Sequence, residues 1–549
     1  MKFKKSRIAL IVILVAYTVL SFYKLGRNEN PQTFVNLKNG EQLIYRIDSE
    51  DVILSDLMMY IGNDLAYVTV FLASDYLDYD TYDYDVSHEG SYVFQWNNVE
   101  INENKKSYSY IVLQSYWDTT VLGEFKAYDT NGNEVSLTPM GDKEKILLDE
   151  QSTVPDDYSL MNSSYFDEVY FPRTAYEQLH DLPIYEYTHP PLGKLIMSIP
   201  MKFLGVTPFA YRLMGNIAGI FMLLVIYAIA KELFGDEKYG LFAASIMALD
   251  GMHFVLTRIG TVDSFLVLFS LTSFLFFIKY LKIKKESTLK EKVIPLLLSG
   301  AFWGMAISVK WTAAFIGLGM GIIYFIDMIW NKKFNFKLIL WSILAFVIIP
   351  IVIYVASYIP IINNPNSGIT SVSSFFDYQK MMYDYHSKLE ADHPFTSKWY
   401  TWPIMQKPVW FYAARFENGN VGTISCLGNP AIWWFAIGTT LFTLIYSILK
   451  KDKVGLMLIV MICSTWLTYA FIGRVMFLYH YFITLPFVML TIVFMMNKLS
   501  LWKKNFKYVM PVLIAVFLIV FIYFYPIYSG KPVTQKYVQD TKLLETWFY

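Results

Sequence analysis

Residues 209–229 read FAYRLMGNIAGIFMLLVIYAI. Wound as a helix at about 1.5 Å per residue, such a run covers about 30 Å, the thickness of a bilayer's hydrocarbon core. It carries one charge, Arg212, and no acid to neutralise it. An ionisable side chain inside a span is costly, so Arg212 marks a functional position as well as a membrane segment. Outward from it, ten more stretches share the apolar character: Ile8–Leu25, Tyr239–Val255, Gly260–Leu281, Val293–Ser308, Thr312–Trp330, Leu338–Ile359, Ala431–Leu449, Val454–Ile472, Met476–Met496 and Tyr508–Tyr525. Composition agrees. Of 549 residues, 55% are hydrophobic, 18% aromatic and only 17% charged, with mean hydropathy +0.36, whereas soluble domains carry about 25% charge. The fold class is therefore mainly α, a polytopic membrane protein of about eleven transmembrane helices. Lys+Arg (46) balances Asp+Glu (46), which points away from a nucleic-acid partner. Two cysteines, Cys426 and Cys463, exclude a disulfide framework and a Cys-ligated zinc site.

Lysines orient the spans. The head holds Lys2, Lys4, Lys5 and Arg7, and eleven crossings put loops 230–238, 282–292, 331–337, 450–453 and 497–507 on the same side. Those loops are rich in lysine, and the short loops opposite are nearly bare. The expected arrangement is a cytoplasmic N-terminus and an extracellular C-terminus. No small-residue cleavage site follows the first span in Phe22–Asn28, so it reads as a retained anchor. The layout is a head and first span (1–25), an extracellular insert (26–155), an outer loop with a juxtamembrane helix (156–208), spans two to seven (209–359), an outer loop (360–430), spans eight to eleven (431–525) and an extracellular tail (526–549).

The insert changes period. Tyr67–Leu72, Ser91–Asn97 and Tyr108–Tyr116 alternate or run β-branched and aromatic. Thr130-Asn131-Gly132-Asn133, between Glu124–Tyr128 and Glu134–Leu137, is an Asn-Gly hairpin signal. The predicted fold is a β-sandwich, and Val121–Asp129 with Asn131-Gly132 resembles the late strands of galactose-binding-like jelly rolls. Tyr79, Tyr82 and Tyr84 alternate with Asp78, Asp80, Asp83 and Asp85, as a calcium loop, a sugar-stacking edge or a solvated acidic loop. The Gly and Glu spacing of an EF-hand is absent.

Four motifs carry chemistry. Asp167-Glu168 offers a general base outside the membrane, or an acid pair favoured at a helix start. Thr188-His189-Pro190-Pro191-Leu192-Gly193-Lys194 is an extended approach into a membrane-surface helix. Arg258 and Asp263 flank a span junction, where they face substrate or pair with each other; Arg212 and Lys310 add cations near the same face. Arg474 and His480 open the tenth span and suit a phosphate. In loop 360–430, Trp402 and Trp410 beside Arg415 suit sugar or peptide contacts, or form an interfacial aromatic belt.

The order Phe166-Asp167-Glu168, Thr188-His189-Pro190-Pro191-Leu192-Gly193-Lys194 and Arg212 resembles the protein O-mannosyltransferases, family 39 of the glycosyltransferases. Further matches are Arg258 with Asp263, Gly304–Trp311, Gly428-Asn429-Pro430 before Trp433-Trp434, Tyr479-His480-Tyr481-Phe482 and Tyr525–Gly530. The resemblance spans about 160–530. It implies a GT-C-type bundle and inverting transfer of mannose, or a related hexose, from a polyprenyl-phosphate donor to Ser/Thr hydroxyls of exported proteins, without an obligatory metal or cofactor. It implies Asp167 as base, leaves Glu168 to orient the acceptor, and gives Arg212 as an essential cation. The donor phosphate is expected on Arg212, Lys310, Arg474 and His480, with Arg258 a lesser candidate. Acceptor or sugar contacts are expected from His189, Asp263, Trp402, Trp410 and Arg415. The insert departs from the family pattern and is expected to bind glycan or hold the acceptor. The alternatives are a GT-C transferase acting on a lipid or cell-wall glycan, and a transporter or flippase. Against the last, the halves show no internal repeat.

Overall fold

The computed structural model describes residues 2–75, 84–90, 92–101, 106–116, 119–283, 287–330, 336–390, 392–416, 418–503, 505 and 508–549. Most of the Tyr/Asp run at 78–85 lies outside the described residues. The chain divides into two units. One comprises Met1–Tyr23, His180–Met197 and Arg212–Tyr549; the other comprises Lys24–Leu179 and Ser198–Tyr211.

The first unit is mainly helical. All eleven apolar stretches are helical over most of their length. Among the described residues, nine helices are long and apolar enough to cross a membrane: Lys5–Phe22, Pro208–Phe234, Asp263–Leu281, Trp311–Trp330, Phe336–Asn363, Pro430–Lys450, Lys453–Phe471, Leu485–Trp502 and Val509–Ser529. The other two stretches differ for local reasons. Leu289–Ile307 opens on the charged turn Lys290-Glu291-Lys292. The stretch Tyr239–Val255 is broken into Glu237–Ala248 and Gly251–Leu256. Asp250 makes the break, because its carboxylate accepts the His253 N–H (3.0 Å), the Asn429 N–H (3.1 Å) and the Trp433 indole N–H (2.8 Å). A continuous helix would leave this buried carboxylate without the helix-end donors that hold it.

Small residues set the helix crossings, as expected where lipid supplies no hydrophobic drive between helices. Ser273 Oγ donates to the Ser299 carbonyl (2.7 Å), and Ser299 Oγ returns the bond to Ser273 (2.9 Å). A Cβ on Gly300 would lie 1.9 Å from the Ala345 carbonyl oxygen, so only glycine permits that approach. Ala345 lies in a π-helical turn, Leu344–Ile348. Pro350 follows closely, and its missing N–H accounts for the loosened hydrogen-bond ladder.

The second unit carries the β-sandwich. One antiparallel sheet orders β1 (Val35–Leu37), β8 (Thr120–Asp129), β3 (Leu54–Ile61) and β6 (Gln95–Glu100), with β9 (Glu134–Val135) paired to β8. The other orders β10 (Leu137–Pro139), β2 (Gln42–Ile47), β7 (Tyr110–Ser115), β4 (Ala66–Ala73) and β5 (Tyr84–Gly90). Leu43 and Tyr45 of β2, Leu57 and Met59 of β3, Val70 of β4, Leu113 of β7 and Phe125 of β8 fill the space between them. The Asn-Gly turn joins β8 to β9, with Tyr128 opposite Glu134. Gly132 adopts φ +79° there, and the Asp129 carboxylate accepts the Asn131 and Asn133 N–H groups at 2.8 Å each.

Candidate functional site

Pro190 and Pro191 lack N–H groups and disfavour helix in the residues before them, so the helix begins only at Leu192 and runs to Leu204. Glu186 organises this approach. Its carboxylate accepts from the Thr188 N–H (2.8 Å), the Thr188 hydroxyl and His189 Nδ1 (3.0 Å), and it pairs with Lys194. The Lys194 ammonium, fully buried, also donates to the carbonyls of Glu186 (2.8 Å) and His189 (2.9 Å). Burial would raise the Glu186 carboxyl, but Lys194 and His189 outweigh it and hold the group well below the usual carboxylate range. Gly193 sits where a Cβ would meet the Val262 side chain at 2.7 Å. The turn is therefore clamped by charge on one side and by close packing on the other.

Beside the turn lies a cavity of about 330 Å³. His189, Lys310, His386, Arg474 and His480 line it, with Thr312, Trp311, Phe315, Tyr383 and Tyr469 among the other walls. None of its lining residues is acidic. Lys310 is held by Asp263 at 3.0 Å, and Asp263 faces a smaller adjoining pocket with Lys310, Tyr469 and His480. Arg474 donates to His386 Nδ1. Thr312 Oγ1 is buried without a hydrogen-bond partner among the described residues, which leaves a polar atom for a bound group to satisfy.

Burial disfavours the charged form of His386 and His189. Burial, then the neighbouring His189 and Arg474, push His386 down to about 3. His189 is lowered by burial, which Glu186 only partly offsets. The cavity lining thus combines Lys310, paired with Asp263 behind it, and Arg474 with imidazoles and aromatic walls, and it includes no acid. Such a lining suits a phosphate ester attached to an apolar body.

The structure gathers His189, Lys310, Arg474 and His480 on this cavity, with Asp263 behind Lys310. Other expected residues lie elsewhere. Arg212 is fully buried in Pro208–Phe234 and is not part of the cavity lining. Arg258 does not pair with Asp263; its guanidinium donates to the Ser21 (2.9 Å) and Tyr23 (2.7 Å) carbonyls, capping the end of the first helix. Trp402 is 1% exposed, so its ring has no free face for a sugar. It stacks on His480 at 6.1 Å between centroids and donates to Ser397 Oγ at 3.0 Å. Trp410 and Arg415 lie on a hairpin, Val409–Arg415 paired with Val421–Cys426, and the Trp410 indole donates to Thr423 Oγ1 at 2.7 Å.

Asp167 and Glu168 belong to the β-sandwich unit, in the short 3₁₀ turn Phe166–Val169. Glu168 is fully buried, and its carboxylate accepts the Tyr165 N–H at 3.1 Å, closing the turn on itself. Asp167 is half-buried. Phe166, just before it, holds φ +52°, a conformation that costs a bulky residue about 1–3 kcal/mol and tends to occur at functional positions.

Two participants were not read from the sequence, His386 and Glu186. The signal available was scarcity: the chain has seven histidines, and three meet at one cavity. Among the described residues, one trio of carboxylates, Glu124, Asp149 and Glu150, lies close enough to share an ion. Its oxygens already accept from the backbone of Gln32 and Thr33, the Thr33 hydroxyl and Gln151.

Two family models match the chain. Dolichyl-phosphate-mannose-protein mannosyltransferase covers residues 199–363, and the C-terminal four-TMM region of protein-O-mannosyltransferase covers 371–547. Together they span more than half of the sequence and leave the β-sandwich outside. Polyprenol-phosphate-mannose–protein mannosyltransferase of Mycolicibacterium smegmatis is 25% identical over 443 residues, 67% of this chain and 85% of the relative. The same-named protein of Mycobacterium tuberculosis is 23% identical over 454 residues, 70% and 85% of the two chains. In fold, a chain of the S. cerevisiae protein O-mannosyltransferase Pmt1-Pmt2 complex bound to the sugar donor superposes with a TM-score of 0.63 at 13% identity, covering 70% of this chain and 89% of that one. The chain belongs to the protein O-mannosyltransferase family and has its GT-C architecture.

Proposed function

We propose that this membrane enzyme moves mannose from a polyprenyl-phosphate donor to Ser/Thr hydroxyls of exported proteins. Family membership supports mannose transfer from a lipid-linked donor to protein. The observation that carries the site is the cavity, lined by no acid, where Lys310 and Arg474 meet three histidines. As the sugar leaves, negative charge grows on the phosphate, and fixed cations away from bulk water stabilise that charge. Lys310, Arg474 and His480 hold the phosphate, and Trp402 backs His480. Arg212, buried in its span, is the essential cation that the resemblance implies. Arg258 has a lesser part through the helix end it caps.

In this reading Asp167 draws off the acceptor hydroxyl proton, and Glu168 keeps the turn that presents Asp167. His189, Asp263, Trp410 and Arg415 contribute to acceptor or sugar recognition, and the β-sandwich binds glycan or holds the acceptor. The reaction inverts the sugar and needs no resident metal or cofactor. The N-terminus is cytoplasmic, and transfer takes place on the outer face.

Membrane vesicles containing the protein, labelled polyprenyl-phosphate-mannose and a Ser/Thr peptide test this directly. Label on the peptide hydroxyl is expected. Label that reaches only lipid or glycan favours the rival transferase, and label that crosses the membrane unreacted favours a flippase.

A further inference from the structure

His386 lies on Val372–Lys388, a helix of the 360–430 loop, and touches two parts of the site at once. Its Nε2 meets the Thr188 carbonyl oxygen at 2.6 Å. Its Nδ1 meets Arg474. A carbonyl oxygen only accepts and a guanidinium only donates, so the imidazole has one consistent state: neutral, with the proton on Nε2. In that state His386 gives a hydrogen bond to the His-Pro-Pro turn and takes one from Arg474. Thr188 is itself fixed by Glu186 through its N–H, and Glu186 by Lys194. A continuous polar chain therefore runs from Lys194 to Arg474, with His386 as the joint between turn and cation. The ring also packs edge-on against His189 at 5.2 Å.

We propose that His386 is a positioning residue for the donor site: it sets the direction of the Arg474 guanidinium and locks it to the turn that carries His189. The inference rests on the reading of the cavity as the donor-phosphate site. A guanidinium reaches a phosphate through a rigid fork, so its orientation decides whether it binds at one oxygen or two.

Kinetics of three variants in the vesicle assay test this. His386→Phe keeps a ring against His189 and loses both polar contacts. His386→Gln has one acceptor and one donor group, and restores both. Arg474→Ala reports on the cavity itself. The expected result for His386→Phe is a donor KM raised roughly tenfold, the loss of about one charge-assisted hydrogen bond, with the acceptor KM unchanged. His386→Gln is expected to recover most of the loss. A residue that merely supports folding would lower the active fraction and leave the donor KM in place.

A wild-type donor KM in His386→Phe, or a His386→Gln variant as impaired as His386→Phe, overturns the proposal. If Arg474→Ala raises the donor KM and His386→Phe does not, the phosphate reading stands and the His386 inference falls. If Arg474→Ala itself leaves the donor KM unchanged, the phosphate reading fails. Nitrogen NMR of ¹⁵N-histidine-labelled protein gives an answer independent of His386→Phe folding. The signal that disappears in His386→Gln is expected to show a bare Nδ1 and a protonated Nε2. An Nδ1–H tautomer or an imidazolium there overturns the proposal.

Discussion

Consider removal of one charge from the Lys194–Glu186 pair. Lys194 is fully buried, and the Glu186 side chain is 6% exposed. Glu186→Gln keeps the shape of the side chain and an oxygen for the Thr188 N–H. It leaves the Lys194 ammonium two carbonyls, at 2.8 and 2.9 Å, and no counter-charge. Stranding one partner of a buried pair costs about 3–5 kcal/mol. At about 2.1 cal/mol/K of unfolding entropy per residue, 549 residues give about 1.2 kcal/mol/K. The melting temperature should therefore fall by about 3–4 °C. Lys194→Met should cost a similar amount, because it strands the carboxylate. The double variant removes both charges and should be far less unstable than the sum of the singles. Thermal unfolding of the detergent-solubilised protein at pH 7, for all four forms, measures this. A Glu186→Gln melting temperature within 1 °C of wild type, or additive losses in the double variant, would refute the clamp.

Other expectations follow from single contacts. Asp167→Asn should lower turnover by about 10²–10⁴-fold with donor binding retained, whereas Glu168→Gln should chiefly loosen its turn. If Glu168→Gln alone abolishes turnover in a stable protein, the roles are reversed. Burial lifts the Glu124 carboxyl from its ordinary 4.5 to about 7. The folded state then holds an extra proton between those values, so the β-sandwich should be most stable in acid and lose about 1–3 kcal/mol as pH rises through 7. Circular dichroism melts of a secreted fragment at pH 5 and 8 read this, and Glu124→Gln should remove the difference. Trp402→Ala should cost about 3–5 kcal/mol by emptying a packed site behind His480. Trp410→Ala should raise the acceptor KM with little loss of stability, and an unchanged acceptor KM removes Trp410 from the acceptor path.

The membrane helices were legible because an apolar run of about 20 residues has few other uses, and the β8–β9 turn because Asn-Gly tolerates positive φ. What escaped was tertiary. Asp250 ends a helix through Asn429 and Trp433, which are far away in sequence, and no local pattern announces that. Arg258 and Asp263 sit five residues apart and invite pairing, yet helix ends claimed the arginine and Lys310 claimed the aspartate. Trp402 reads as a surface platform in a loop rich in aromatics; its burial depends on His480 arriving from another element. His386 stayed hidden because its partners, Thr188 and Arg474, lie 198 and 88 residues away, on either side of it in sequence.

The most direct test of the phosphate site is equilibrium binding of a short-chain polyprenyl phosphate to the protein in lipid nanodiscs, comparing wild type with Arg474→Ala and Lys310→Met. Loss of one charge-assisted contact is expected to weaken binding by about tenfold or more in each variant, while Arg415→Ala, on the separate hairpin, leaves it unchanged. Wild-type affinity in both Arg474→Ala and Lys310→Met would contradict the assignment of this cavity to the donor phosphate.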